Sequence, residues 1–186
     1  MGSAFSAFFR FLRIYARSPL AVIGLIGTVL VLLAAIFAPV LSPQNPYDLL
    51  QLDILESRLP PGEQAYAGFT FLLGTDGQGR DMVSAILYGL RISLIVGIGS
   101  AALAFVLGTL FGLTAAYIGG RVETFMMRLV DLQMSVPTIL SALLILALLG
   151  KSIGNVVLAI VIVEWATYAR TARGTALSQM RRDYVE

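Results

Sequence analysis

Long apolar stretches constrain the fold of this chain more than any other feature. Leu20 to Leu41 contains 22 residues without a charge, and Ile92 to Ile118 contains 27. Two further stretches run from Leu132 to Gly150 and from Ser152 to Ala169, the last with Glu164 inside it. A helix that crosses a bilayer needs about 20 such residues, because hydrocarbon offers its backbone no other hydrogen-bond partners. The sequence therefore predicts an all-α membrane protein with four transmembrane helices present.

The predicted spans divide the chain into segments. We predict a cytoplasmic N-terminus at 1–19, a first transmembrane helix at 20–41, an outer segment at 42–91 that ends in a short interfacial helix, and a core domain at 92–186. Within the core domain, transmembrane helices are expected at about 92–118, 132–150 and 152–169, followed by a cytoplasmic tail. A signal peptide does not fit the first stretch, since signal cores run about 7 to 15 residues.

The basic residues are distributed unequally between the two sides of the membrane. One side carries nine, which are Arg10, Arg13, Arg17, Arg121, Arg128, Arg170, Arg173, Arg181 and Arg182. The other side carries four, which are Arg58, Arg80, Arg91 and Lys151. Because positively charged loops remain in the cytoplasm, both termini are predicted to be cytoplasmic and residues 42–91 to lie outside.

The composition excludes several function classes. The chain has no cysteine and no histidine, so disulfides, thiolate metal sites and Ser-His or Cys-His catalysis are ruled out. A net charge of +2 with scattered arginines gives no support to nucleic-acid binding. Glu164 is the only acid deep in a span, so an intramembrane enzyme with a carboxylate pair is disfavoured. No span has a polar stripe, which disfavours a stand-alone channel. We predict no catalytic, cofactor-binding or metal-binding residues.

The stretch "GTDGQGRD", residues 74–81, resembles a phosphate-binding loop only superficially. Arg80 stands where that loop needs lysine, and Asp81 stands where it needs Ser or Thr. Asp76 would place a further carboxylate against the phosphates. We interpret the stretch as a turn that Gly74 and Gly79 permit, in which Asp81 caps the following helix. This outer-face motif is also a candidate for docking a partner.

Two features of the predicted spans suggest roles in packing or movement. Gly108, Gly112 and Ala116 follow one another at spacings of four, which lets helix backbones approach closely. Packing within the chain and contact with another membrane subunit both remain open. Pro137 predicts a kink and is a candidate gate, and the hydroxyl of Ser135, Thr138 or Ser141 is expected to satisfy the carbonyl that it frees.

Two acidic residues near the predicted cytoplasmic edge have different expectations. Asp131 lies three residues after Arg128, so the two are expected to pair on one helix face. Glu164 lies six residues before Arg170, and an ionised acid in the bilayer costs roughly 3 kcal/mol. Our hypothesis is that Glu164 lines the translocation path or pairs with an arginine near the inner gate. The alternative is an acid that reaches the interface by snorkelling.

Three ordered segments resemble a known family: "LGTDGQGRDMVSAILYGLRISL" (73–94), "AAYIGGRVETFMMRLVDLQMSVPTILSALL" (115–144) and "WATYARTARGTALSQMRRDYVE" (165–186). Together they resemble the inner-membrane permease subunits of bacterial ABC importers for dipeptides and oligopeptides, a group that includes nickel and glutathione systems. The similarity is to the second of the two permeases. It implies a six-helix permease fold and a cytoplasmic coupling motif, E-A-A-x-x-x-G, of which Glu186 would be the first residue. The chain is therefore expected to be an N-terminal fragment.

The resemblance also implies a function and partners. A periplasmic binding protein would deliver peptide to two permeases in the bacterial inner membrane, and two ATPases would drive alternating access. ATP and magnesium would bind to the ATPases, with no cofactor in this chain and no nucleic-acid partner. The permease itself would not be an enzyme. The alternative is a membrane scaffold or assembly subunit without transport activity, if the natural chain ends at Glu186.

Overall fold

The computed structural model of the chain describes residues 16–180, and over these residues it is built from helices. The helices are α1 (Pro19–Ile36), α2 (Ala38–Leu41), α3 (Met82–Ile118), α4 (Gly120–Ser135), α5 (Thr138–Leu149) and α6 (Ile153–Met180). Within the described part the only strand-like pairings are two isolated bridges, Gln64 with Thr70 and Thr75 with Asp81. The predicted all-α membrane class is confirmed. The chain forms two compact units, whose boundary falls between Ser93 and Leu94.

Helix α1 begins where the sequence predicts the first span. The Ser18 hydroxyl accepts a hydrogen bond from the Ala21 N–H at 3.4 Å, and Pro19 occupies the first turn, where its missing N–H costs nothing. The helix is interrupted at Phe37, earlier than the expected end at residue 41, and α2 continues for one turn. Pro39 accounts for the interruption, because proline cannot donate the hydrogen bond that would continue α1.

Residues 42–81, the part of the predicted outer segment that precedes α3, are made of turns and short 3-10 helices. Two short 3-10 helices, Leu49–Gln51 and Ile54–Glu56, lie in its first half. Phe71 is fully buried and contacts Phe69 edge to face, with ring centroids 5.0 Å apart. This segment therefore has a small apolar centre of its own.

Helix α3 runs without interruption for 37 residues. The interfacial helix and the second span, which the sequence predicts as successive elements, are one continuous helix. It ends at Ile118, where Gly119 and Gly120 take positive φ angles of 69° and 59°. Such angles strain residues that carry a Cβ atom, so the glycine pair explains the end of the helix.

The expected helix at 132–150 is divided between α4 and α5, which are bent by 85° relative to each other. Val136 is extended, with φ −89° and ψ 132°, and Pro137 precedes the first turn of α5. Proline disfavours helical angles in the residue before it and lacks an N–H, so a break rather than a mild kink results. Helix α5 has 12 residues, fewer than a straight span needs.

Helix α6 extends the expected span at 152–169 far into the predicted tail, ending at Met180. By length and composition, three helices of the described chain can cross a membrane: α1, α3 and α6. A fourth crossing exists if the bent pair α4 and α5 counts as one span. Helix α6 packs against both α4 and α5.

Candidate functional site

The outer-face motif is built around Asp81, which caps α3. The Asp81 carboxylate accepts hydrogen bonds from the Ser84 N–H at 2.7 Å and from the Ser84 hydroxyl at 2.6 Å. Asp81 is 1% exposed. Its position at the helix start satisfies an N–H that has no partner within the helix, as the sequence predicts.

The loop before Asp81 is held by a second carboxylate and two glycines. Asp76 accepts from the N–H groups of Gln78 at 2.8 Å and Arg80 at 3.0 Å, closing a tight turn. Gly74 and Gly79 have φ angles of 77° and 74°. A side chain on either would collide with a backbone carbonyl oxygen, that of Leu59 or Asp53 respectively. Both glycines are therefore required by the turn.

Gln44 is a central residue of this site that sequence reasoning missed. Its side-chain oxygen accepts from the Asp81 N–H at 2.7 Å, and its amide donates to the Gln51 carbonyl at 2.9 Å. Gln44 is buried, so these bonds fix the first half of the outer segment to the start of α3. A single glutamine in a polar loop gives no sequence pattern that would identify it.

Arg80 differs from its neighbours in the motif. Its guanidinium Nε atom is buried and has no hydrogen-bond partner within residues 16–180. The backbone of Arg80 nevertheless helps to close the turn, since its carbonyl accepts from the Asp76 N–H at 3.1 Å. Its side chain takes no part in the bonds that hold Asp81.

The small residues of α3 contact α6. A Cβ atom on Gly108 would overlap the Trp165 carbonyl oxygen, and one on Gly112 would overlap the Ala169 carbonyl oxygen. Ala116 is buried as well. Aromatic rings flank the contact, with Phe105 against Tyr168 at 5.7 Å and Phe111 against Trp165 at 5.0 Å between centroids. The structure thus places Gly108 and Gly112 in packing within the chain.

Two ion pairs join α4 to α6, and we call them the ion-pair clasp. Arg170 contacts Asp131 at 2.6 Å, and Arg173 contacts Glu123 at 2.5 Å. The expected pairing of Asp131 with Arg128 is wrong. The Asp131 carboxylate pairs instead with Arg170, which lies on the neighbouring helix α6. The packing of Val130 against Ala166 and Ala169 brings the two helices close enough for this.

The clasp lines an open cavity of about 470 Å³. Its wall contains both ion pairs together with Thr124, Met127 and Arg128. Three arginines and two acids therefore line one cavity, so the surrounding charge is net positive. This is the side that the arginine distribution assigns to the cytoplasm.

Glu164 and Pro137, the candidate path and gate residues, lie apart from these contacts. Glu164 lies on α6 and is exposed, without an ion pair or hydrogen bond to any residue of the range 16–180. No arginine partner for it exists in that range, and its role in a path stays a prediction. Pro137 lies at the bend, where the Ser135 hydroxyl donates to the Leu132 carbonyl at 2.7 Å. That carbonyl is not the one that the missing N–H of Pro137 frees, which belongs to Gln133.

Glu186, the expected start of the coupling motif, lies outside the described residues. Helix α6 ends at Met180, the last described residue. Among residues 16–180, no group of three or more acidic side chains is arranged to hold a metal ion.

Comparison with known protein families matches two stretches of the chain. Residues 108–186 match the family described as binding-protein-dependent transport system inner membrane component. Residues 6–61 match the N-terminal transmembrane domain of oligopeptide transport permease C. The first stretch includes Gly108, Gly112 and the ion-pair clasp, and the second includes α1 and Gln44.

Individual relatives cover nearly all of the chain. The di/tripeptide transport system permease of Pseudomonas aeruginosa is 35% identical over 94% of this chain and 57% of its own length. The dipeptide transport system permease of Escherichia coli K12 is 40% identical over 94% of this chain and 57% of its own. The oligopeptide transport system permease of Bacillus subtilis is 33% identical over 92% and 53%. The chain spans about half the length of these curated relatives.

Proposed function

Since the chain belongs to the family of binding-protein-dependent transport system inner membrane components, we propose that it is a permease subunit of an ABC importer. With a second permease it forms the path by which a solute enters the cytoplasm. The observation that carries the proposal is the family match over residues 108–186, which contains Gly108 and Gly112 at the end of α3 and the helix α6 that they contact. The match at 6–61 supports it independently.

The proposed mechanism is alternating access. Two ATPase subunits bind ATP and magnesium, and a periplasmic binding protein presents the solute at the outer face. Each ligand shifts the permease between two states only by as much as it binds one state better than the other. In this mechanism the chain performs no covalent chemistry, and its contribution lies in its helices and in the surfaces that the partners contact.

Two regions are proposed to receive partners. The outer segment at 42–81 lies on the side predicted to face the binding protein, and the Asp81 cap and Gln44 hold its shape. At the other predicted side, the ion-pair clasp joins the C-terminal half of α6 to α4. We propose that Glu186 begins the surface that docks on the ATPase.

Peptides are the proposed solutes. The relatives are named for transport of dipeptides, di/tripeptides or oligopeptides. Apolar helices contact a peptide mainly by shape, so the sequence does not reveal which peptide is transported. The proposal is therefore limited to peptides as a class, and it rests on the names of those relatives.

Native mass spectrometry of the complex, extracted gently from its source membrane, tests the assembly. The expected species contains this subunit with a second permease and two ATPases. A subunit found alone, or with membrane partners but no ATPase, would contradict the importer and favour a scaffold.

Uptake of a labelled dipeptide tests the substrate class. The measurement uses the reconstituted complex, with ATP inside the vesicles and the binding protein outside. A matched preparation without ATP is the control. ATP-dependent uptake of nickel or glutathione without uptake of dipeptide would retain the importer and reject the peptide.

A further inference from the structure

The outer segment contains a short tandem pattern that the proposed function does not use. "DLLQ" at 48–51 is followed after one residue by "DILE" at 53–56. Each begins with aspartate, continues with two aliphatic residues, and forms a 3-10 helix, Leu49–Gln51 and Ile54–Glu56 respectively. We call these the twin turns.

The aspartates pair two backbone N–H groups in each of the twin turns. The Asp48 carboxylate accepts from the Leu50 N–H at 3.1 Å, and the Asp53 carboxylate accepts from the Leu55 N–H at 2.9 Å. The carbonyls of the same aspartates accept the next N–H groups, those of Gln51 and Glu56. Backbone groups that are already paired can leave water at low cost, which is the condition for contact with lipid.

The aliphatic side chains of the twin turns point away from the protein. Leu49 is 80% exposed, Leu50 96%, Ile54 79% and Leu55 78%. Full burial of one aliphatic side chain contributes about 1.5 to 3 kcal/mol of favourable free energy. Four such side chains that are exposed together to water are therefore unfavourable and indicate a contact surface. The fourth residue of the second turn points inward instead: Glu56 is buried and accepts from the Tyr66 N–H.

A ring contact indicates the depth of the twin turns. Tyr47, the residue before Asp48, contacts Tyr88 of α3 edge to face, with centroids 6.2 Å apart. Tyr88 lies six residues into α3, or about 9 Å along its axis, and only four residues before the uncharged run that starts at Ile92. Tyrosines are enriched where a membrane meets water. The first turn thus lies beside α3 a few residues before its uncharged run begins.

Bonds to the neighbouring loop keep the first turn at that level. The Gln44 amide donates to the Gln51 carbonyl, and the Asn45 N–H donates to the Gln51 side chain at 2.8 Å. Exposed aliphatic residues also occur between α1 and the twin turns, at Val40 and Leu41 of α2.

We propose that the twin turns insert Leu49, Leu50, Ile54 and Leu55 into the outer headgroup layer of the lipid bilayer. The lipid surface that fits is zwitterionic rather than anionic, because residues 42–81 carry six acidic residues and two basic ones. The aspartates then lie at the water side of the layer and the aliphatic pairs reach below it. The inference concerns contact with lipid alone and holds whether or not the chain transports peptides.

Site-directed spin labelling tests the insertion. This chain has no cysteine, so an introduced cysteine is the only labelling site that the chain contributes. The signal of a complex with the unsubstituted chain, carried through the same labelling, is subtracted to remove any contribution from the other subunits. We would label Leu50→Cys and Leu55→Cys in the complete complex, reconstituted into phosphatidylcholine bilayers. Collisions of the nitroxide with oxygen, which concentrates in lipid, are compared with collisions with a water-soluble nickel chelate. Because Leu50 is 96% exposed, its replacement removes almost no contact within the chain.

Two labels provide the controls, Ile23→Cys on the exposed face of α1 for lipid and Gln78→Cys in the polar turn for water. We expect the ratio of the collision rate with oxygen to the collision rate with the nickel chelate to be several-fold higher at Leu50 and Leu55 than at Gln78. The ratio at these two positions should approach the ratio at Ile23. A ratio equal to that at Gln78 would overturn it. Low collision rates with both reagents would also overturn it, because they would mean that a protein partner covers the twin turns.

Discussion

The carboxylate of Asp81 binds both the N–H and the hydroxyl of Ser84, at 2.7 and 2.6 Å, while the N–H of Asp81 binds the side chain of Gln44. One residue thus starts the longest helix and fixes the outer loop to it. Loss of the carboxylate would release the helix end, whereas the link to Gln44 runs through the backbone and would remain.

Asp81→Ala is therefore expected to lower the stability of the permease by about 1 to 2 kcal/mol, the usual cost of losing a helix cap. Thermal unfolding of the purified complex measures the loss. Asp81→Asn is the matched control, since its amide oxygen retains an acceptor and a smaller loss is expected. Unchanged stability and assembly together with an altered peptide preference would contradict a structural role for Asp81.

Gly112→Ala is expected to disrupt the packing of α3 on α6, because the added methyl group would overlap the backbone of Ala169. The expected result is a clear drop in unfolding temperature or failure to assemble. Gly97→Ala, on the same helix with no neighbour within 4 Å, is the control. It is expected to be neutral or to stabilise the helix by up to about 1 kcal/mol. Equal behaviour of the two variants would refute the close contact.

The two pairs of the ion-pair clasp are expected to differ in strength. The side chain of Glu123 is 18% exposed and that of Asp131 is 55% exposed. Arg173→Gln leaves a largely buried acid without its cation and should cost about 1 to 3 kcal/mol. Arg170→Gln should cost about 1 kcal/mol or less, with an effect that salt reduces. Unfolding at low and high salt compares them, and a larger loss for Arg170→Gln would reverse the ranking.

Pro137→Ala is expected to relax the bend between α4 and α5. Alanine restores an N–H and removes the restriction on Val136, so the two helices can become more collinear. Spin labels at Leu129 and Leu144, both exposed, report the change as a longer or broader distance distribution. Val136→Ala keeps the proline and serves as the control. An unchanged distance in Pro137→Ala would mean that packing against α6 alone sets the angle.

Glu164→Gln is expected to reduce ATP-dependent transport without loss of assembly, since it removes the charge from an exposed acid on α6 while preserving its size. Thr167→Val, at another exposed position of the same helix, is the control. Unchanged uptake and unchanged assembly would show that Glu164 is only an acid at the membrane surface.

Sequence patterns predicted those parts of the structure that depend on near neighbours. The apolar runs located α1, α3 and α6, the run that stops at Ile118 gave the end of α3, and the position of Asp81 before the helix predicted its cap. Each depends on residues within a few positions of one another, where helix periodicity and capping rules apply.

Features that depend on distant residues were not predictable from the sequence. The partner of Asp131 is Arg170, 39 residues away, and a local pairing rule chose Arg128 instead. Pro137 predicted a kink, but the 85° angle also depends on how α4 and α5 pack on α6. Gln44 reaches Asp81 across 37 residues. No periodicity connects such pairs, because the folded chain alone brings them together.

The contact of Gly108 and Gly112 with the carbonyls of Trp165 and Ala169 has a mechanical consequence. An interface of side chains can slide when rotamers change, whereas two backbones in direct contact have no rotamers to adjust. Helices α3 and α6 are therefore expected to move together as one rigid unit where they are in contact. Relative motion of the helices α3 to α6 is then expected where no such backbone contact exists. The junction at Val136 and Pro137, between α4 and α5, has the geometry of a hinge.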